Sequence, residues 1–192
     1  EGRMNLIAGF NWLDFVIIFL IIAGMAIGLT QGLLRQMIGL AALYIGTILG
    51  AQYYRVIGDW IRTLAFQSAA PNKILNAFSF FLILIFVSSI INWLAYDAYR
   101  STKLQLASLL DQLGGALLGL VTMIILISIM LPVLGFATSE PWPWNEPARQ
   151  FIADGMQSFR LLPVFNELKP LLLSVLGPWL PAGLPSLFDL AR

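Results

Sequence analysis

Neither cysteine nor histidine occurs among the 192 residues, and charge is scarce, with 11 Lys and Arg against 10 Asp and Glu. Without cysteine there is no disulfide, no thiolate-held zinc or iron–sulfur cluster and no thiol nucleophile. Without histidine there is no imidazole-ligated haem or chlorophyll and no His-based triad. A soluble domain carries about 25% charged residues, whereas this chain carries 11%. So few charges cannot cover a water-facing surface. With 59% hydrophobic residues and a mean hydropathy of +0.83, the composition is that of a membrane protein. A net charge of +1 offers no basic field to nucleic acid. No cofactor or metal ligand set is evident in the sequence.

What the chain does have is long apolar runs. A bilayer core of about 30 Å needs roughly 20 helical residues. Residues 12–30, 33–54, 77–96 and 113–134 meet that length, predicting an all-α, polytopic membrane protein with four spans. An even number of spans puts both termini on one side. Tyr53, Tyr54, Trp60, Trp93 and Tyr96 fall near the span ends, where an aromatic belt belongs. Glu1-Gly2-Arg3 precede the first methionine, resemble the remnant of a protease-site linker, and are set aside with the N-terminal segment 1–10. The four-span domain occupies 11–135, and a Pro- and Trp-rich tail occupies 136–192.

The tail differs in character. Residues 139–147 (SEPWPWNEP) suit the membrane interface. Over 147–162, Phe151, Ile152, Met156 and Phe159 share one side, which predicts an amphipathic helix on a membrane or partner surface. Residues 171–188 are apolar but broken by Pro178, Pro181 and Pro185, so an interfacial or re-entrant segment is expected there. The loop 54–66 reads as a further surface-lying helix.

Polar residues inside the spans are few. Gly24, Gly28 and Gly32 share a helical face, and the same four-residue spacing recurs at Gly46/Gly50 and Gly115/Gly119. Such faces let helices pack backbone to backbone. Gln31, Arg35 and Gln36 sit at the first reversal, where Arg35 can bury its stem and snorkel its guanidinium outward. Asp14 follows Asn11 by three residues and Asp111 follows Ser108 likewise, so both read as helix-capping acids. Topology keeps Asp14 and Arg35 on opposite membrane faces, whereas Arg35 and Asp111 share one, and an Arg35–Asp111 ion pair is the geometric expectation. Tyr96-Asp97 alone does not make an aspartyl protease, since no Gly-x-Gly-Asp partner occurs. The midplane hydroxyls of Thr47, Ser88, Ser89, Thr122 and Ser128 can bond within their own helices, so no conduction path is visible. Basic residues divide three against three between the faces, with Arg149 leaning toward cytoplasmic termini.

Trp12-Leu13-Asp14 opening span one, Gly32 and Arg35 at the reversal, and Asp111, Gly115 and Gly119 opening span four together resemble the CvpA (colicin V production protein) family. The family's reversal commonly reads Arg-Gly-x-x-Arg-Glu, where this chain has Gln31-Gly32-Leu33-Leu34-Arg35-Gln36. Its fourth span tends to begin Asp-Arg-x-x-Gly-x-x-x-Gly with a later Arg-Gly. Here Gln112 replaces the Arg, and Thr122-Met123 replaces the Arg-Gly. The resemblance covers about residues 11–135, and the tail loosely. It implies a multi-pass bacterial inner-membrane protein linked to colicin V production (toxin biosynthesis) and envelope maintenance, without established catalysis. The expected function is therefore non-enzymatic packing against lipid and other integral membrane proteins, or against itself, through the glycine faces and the apolar side of 147–162. A structural subunit of a larger respiratory or photosynthetic complex is the alternative. A transporter or channel component is disfavoured by the sparse midplane polarity.

Overall fold

The computed structural model describes residues 10–66, 72–101, 108–179 and 186–188. These residues form helices and their connections, without strands. Helix α1 spans Trp12–Gln31, α2 Leu33–Ile61, α3 Asn72–Ser101, α4 Ser108–Thr138, α5 Glu146–Ser158 and α6 Leu162–Leu176. A π-helical turn, Arg62–Phe66, prolongs α2, and 3-10 turns occupy Gly177–Trp179 and Ser186–Phe188. Helices α1 to α4 are long and apolar enough to cross a membrane. The 29 residues of α2 rise about 43 Å at 1.5 Å each, more than a hydrocarbon core requires.

That excess length moves several boundaries. Residues 54–66 are not a separate surface helix, because α2 continues straight through Ile61. Tyr54 and Gly58 stay buried there, with Gly58 close against Asn76 of α3. Helix α3 starts at Asn72 and α4 ends at Thr138, beyond the apolar runs that revealed them. The amphipathic helix ends at Ser158 rather than 162, since Phe159 is extended (φ −78°, ψ 137°). The side chains of Tyr96 and Asp97 lie outside the described residues, as do Pro181 and Pro185.

The first two helices barely touch beyond their turn. Helix α1 packs on α4, α2 packs on α3, and α4 also lies against α2 and α3. Two apolar clusters flank α4. On one side Leu13 and Ile17 of α1 meet Ile127 and Leu131, together with Phe159 and Phe165 from the tail. On the other, Ile129 and Val133 meet Tyr54, Phe80 and Leu84, with Leu187 and Phe188. Phe80, Val133 and Leu187 are fully buried.

Hydroxyls inside the bundle are satisfied by carbonyls. Thr47 donates to Leu43 O at 2.7 Å, Thr122 to Leu118 O at 2.7 Å and Ser128 to Ile124 O at 2.7 Å. Ser88 instead crosses to α2, donating to Ala42 O at 3.1 Å. Helix α6 runs beside α2 and α4. The Tyr44 hydroxyl reaches Val175 O at 3.2 Å, and the Gln52 amide reaches Trp179 O at 3.1 Å. An apolar cavity of about 590 Å³ lies between α2, α4 and α6, lined by Leu40, Tyr44, Ile125 and Leu172 among others.

Glycine is required where α1 meets α4. A Cβ on Gly28 would lie 2.1 Å from Gly115 O, and one on Gly119 would lie 2.3 Å from Gly24 O. Both obstacles are backbone and cannot rotate away. Gly39 differs, since the nearest side-chain atom a Cβ would meet is Oε1 of Gln36, three residues earlier on the same helix, at 4.0 Å. Gly28→Ala is therefore expected to separate α1 from α4 and lower stability by about 3 kcal/mol, read as detergent-solubilised thermal unfolding. Gly39→Ala is expected to be neutral or stabilising by under about 1 kcal/mol. Equal behaviour of the two variants would contradict this packing.

Candidate functional site

Three polar assemblies stand out against the apolar bundle. The first is at the reversal. Gly32 has φ +78° and ψ 170°, a conformation that L side chains rarely adopt, and it offers α2 no side-chain cap. Helix α2 therefore begins with unsatisfied N–H groups. Asp111, in the first turn of α4, accepts the Leu33 N–H through Oδ1 at 2.9 Å. Its other oxygen lies where a Gly32 Cβ would be, at 2.3 Å, so Gly32 is also fixed by close approach. One carboxylate thus serves the positive end of its own helix and the start of a neighbour.

The expected Arg35–Asp111 ion pair is not made. Asp111 is held by the α2 backbone, and Arg35 is exposed with no ion pair among the described residues. Sharing a membrane face did not suffice, because an N–H of the same helix lies closer to the carboxylate.

The second assembly joins the start of α1 to the tail. Asn11 and Asp14 form a reciprocal capping box. Asp14 is fully buried, and its carboxylate accepts the N–H groups of Asn11 at 2.9 Å, Arg160 at 3.0 Å and Leu161 at 3.2 Å. A buried carboxylate is costly unless hydrogen-bonded, and these amides with the α1 N-terminus supply the compensation. Asn11 also donates from Nδ2 to Gly155 O at 3.0 Å and Ser158 Oγ at 2.8 Å. The Trp12 ring stacks on Phe151 with centroids 4.9 Å apart. A Cβ on Gly155 would fall 2.7 Å from Trp12 Nε1, which explains glycine there. Asn11-Trp12-Leu13-Asp14 is thus a socket for the α5–α6 junction.

This contact redirects the tail's apolar face. Phe159 is buried, and Met156 packs on the cluster around Leu13 and Ile127. Phe151 rests on Trp12 and Ile152 is half-buried. Of the side expected to meet a membrane or partner surface, Phe159 and Met156 therefore pack within the chain, while Phe151 keeps most of its surface exposed. The glycine faces are likewise occupied internally. Gly24, Gly28 and Gly32 lie on α4 around Gly115, Gly119 and Asp111, while Gly46 and Gly50 lie on Leu84, Ser88 and Phe80 of α3. The glycine faces are thus used within the chain, while Phe151 on the tail face stays exposed.

The Pro/Trp-rich corner between α4 and α5 is tied by Arg149. Its guanidinium donates to Glu146 Oε1 from Nε at 2.8 Å and to Thr138 O from Nη1 at 2.8 Å. Glu146 also accepts the Trp142 N–H at 3.0 Å, and Trp142 Nε1 donates to Ala137 O at 3.0 Å. The Arg149 hydrogen bonds, then the Trp142 amide, hold the Glu146 carboxyl down at about 2.

The third assembly is a cleft of about 320 Å³ near the reversal, bordered by Gln31, Arg35, Gln36, Gly39, Asn92 and Thr122. Gln31, Arg35 and Gln36 were legible as a polar interruption. Asn92 was not, because a lone amide near the end of a span has no sequence signal beyond its polarity.

The four apolar helices and their internal polar caps define a multi-pass helical membrane protein. The chain belongs to the colicin V production protein family, whose model matches residues 13–167. That match takes in the four spans, α5 and the start of α6. No curated protein and no solved structure matches the chain.

Asp14→Ala is expected to orphan the amides of Arg160 and Leu161 and cost about 2–3 kcal/mol. Thermal unfolding and faster tryptic cleavage after Arg160 would report it, and unchanged cleavage would refute the socket. For Glu146, the folded carboxyl is depressed, so its contribution is present above its unfolded value of 4.5 and is lost as pH falls toward about 2. Glu146→Gln is expected to mimic that loss at neutral pH, speeding tryptic cleavage after Arg149 while leaving cleavage after Arg160 unchanged.

Proposed function

We propose that the chain works without catalysis, as a bacterial inner-membrane protein that packs against other integral membrane proteins in colicin V production and envelope maintenance. The supporting observation is the division between its polar groups and its apolar surface. Asp14 and Asp111 are engaged by backbone amides, and four of the five midplane hydroxyls, Thr47, Ser88, Thr122 and Ser128, by carbonyls. Such groups serve as caps and ties, since a nucleophile or general base needs a free reactive atom in a shared site.

Bulky apolar side chains meanwhile cover two outer faces. Phe15, Phe19 and Ile22 stand out from α1, and Phe78, Ile85 and Phe86 from α3. In a bilayer these faces meet lipid or another helix, and van der Waals packing drives such association. With the glycine faces used within the chain, partner contact falls to these outer faces.

The test is extraction of the full chain from its native membrane in mild detergent, with native mass spectrometry of what stays bound. Phe19→Ala/Ile22→Ala and Ile85→Ala/Phe86→Ala double variants are run in parallel. The expected result is a stoichiometric set of other membrane subunits that is lost in at least one variant at unchanged helix content. Redox or pigment subunits in that set would assign the chain to a respiratory or photosynthetic complex. A lone monomer, both after extraction and after cross-linking in the membrane, overturns the proposal.

A further inference from the structure

We infer that the cleft beside the first reversal binds an anionic phospholipid by its phosphate, with Arg35 as the principal ligand. The charge balance of the cleft points there first. Arg35 is exposed, its guanidinium has no hydrogen bond or ion pair among the described residues, and Asp111 is already engaged by Leu33 N–H. A cation close to lipid is costly without a counter-charge.

The carboxamides around Arg35 offer N–H donors beside their carbonyl oxygens. Gln36, 6% exposed, is held only by a long 3.4 Å contact from its amide to Gln31 Oε1. The Asn92 amide donates one N–H to Ser88 O at 2.8 Å and keeps a second. The Gln31 amide adds two N–H groups. A guanidinium flanked by carboxamide N–H groups suits an acceptor-only anion, and Arg favours phosphate through its planar fork.

Depth and shape select a lipid. Arg35 lies three residues past Gly32, a helical rise of about 4–5 Å, near the boundary between headgroups and hydrocarbon. Below it the cleft continues along Ile27, Gly24, Gly119 and Met123. Gly24 is eight residues before Gly32, or about 12 Å deeper by the same rise. A polar mouth over an apolar floor fits the phosphate and first acyl carbons of one amphiphile. Gly39 borders this space with no crowding around its Cβ position, so the cleft can be filled there without disturbing the bundle.

The experiment uses the full chain in detergent, titrated with dioleoylphosphatidylglycerol or dioleoylphosphatidylcholine, with lipid-bound fractions read by native mass spectrometry. The wild-type chain should prefer the anionic lipid by about tenfold, as expected for one charge-assisted contact. Arg35→Gln should bring that preference close to unity, and Arg35→Lys should retain part of it. Gly39→Leu should weaken binding of both lipids while leaving the melting temperature near wild type. Arg160→Gln, in the tail, should change neither measurement.

A preference that survives Arg35→Gln, or that Arg160→Gln abolishes equally, overturns the site in favour of general surface charge. Displacement of the lipid by excess inorganic phosphate, with Gly39→Leu silent, overturns the lipid assignment in favour of a soluble anion. Should Arg35→Gln fail to fold, Arg35→Lys and Gly39→Leu still decide between these outcomes.

Discussion

The close approach of α1 and α4 is the constraint on which the remaining arrangement depends. Gly24 and Gly28 on one helix and Gly115 and Gly119 on the other bring carbonyls within the space a methyl group would need. In a bilayer lipid is as apolar as leucine, so helix association rests on such fit rather than on escape from water. Once α1 is seated, Gly32 falls beside Asp111, which supplies the cap α2 lacks. The opposite end of α1 then presents Asn11, Trp12 and Asp14 to the tail. A defect in the glycine contact would move both ends at once.

Asp14 and Asp111 follow one rule. Each sits in the first turn of its helix and also receives amides from a different element, Leu33 for Asp111 and Arg160 with Leu161 for Asp14. Lipid offers no water to satisfy orphan N–H groups, so such groups find protein acceptors. Hydroxyls answer carbonyls in the same way, and Ser88 extends that bond to the neighbouring helix. The polarity inside the bundle mostly fastens elements together. The cleft at Arg35 departs from this among the described residues, with carboxamide N–H groups left over and an exposed cation.

The outer surface carries the opposite chemistry. Phe19 of α1 and Phe86 of α3 would be errors on a soluble protein, but here they match the surrounding medium. The tail, which looks amphipathic when read alone, is drawn inward at Phe159 and Met156. Membership of the colicin V production family fits this architecture, because its model spans the bundle together with the docked helix α5.

The four spans, the absence of thiol and imidazole chemistry, and the spacing of glycines on single helical faces all followed from the sequence. These depend on local composition and on the 3.6-residue repeat, which a linear reading contains. The capping role of Asp14 in its own helix was legible for the same reason, as was the first-turn position of Asp111. Tertiary structure alone decided that Asp111 serves Leu33 rather than Arg35, and that Asp14 holds residues 160 and 161, about 146 positions away in sequence. It alone decided that the glycine faces close within the chain and that Asn92 joins Gln31, Arg35 and Gln36. Periodicity states which side of a helix is small or polar. Which helix lies opposite is set by packing geometry in three dimensions, where differences of a few ångströms choose the partner.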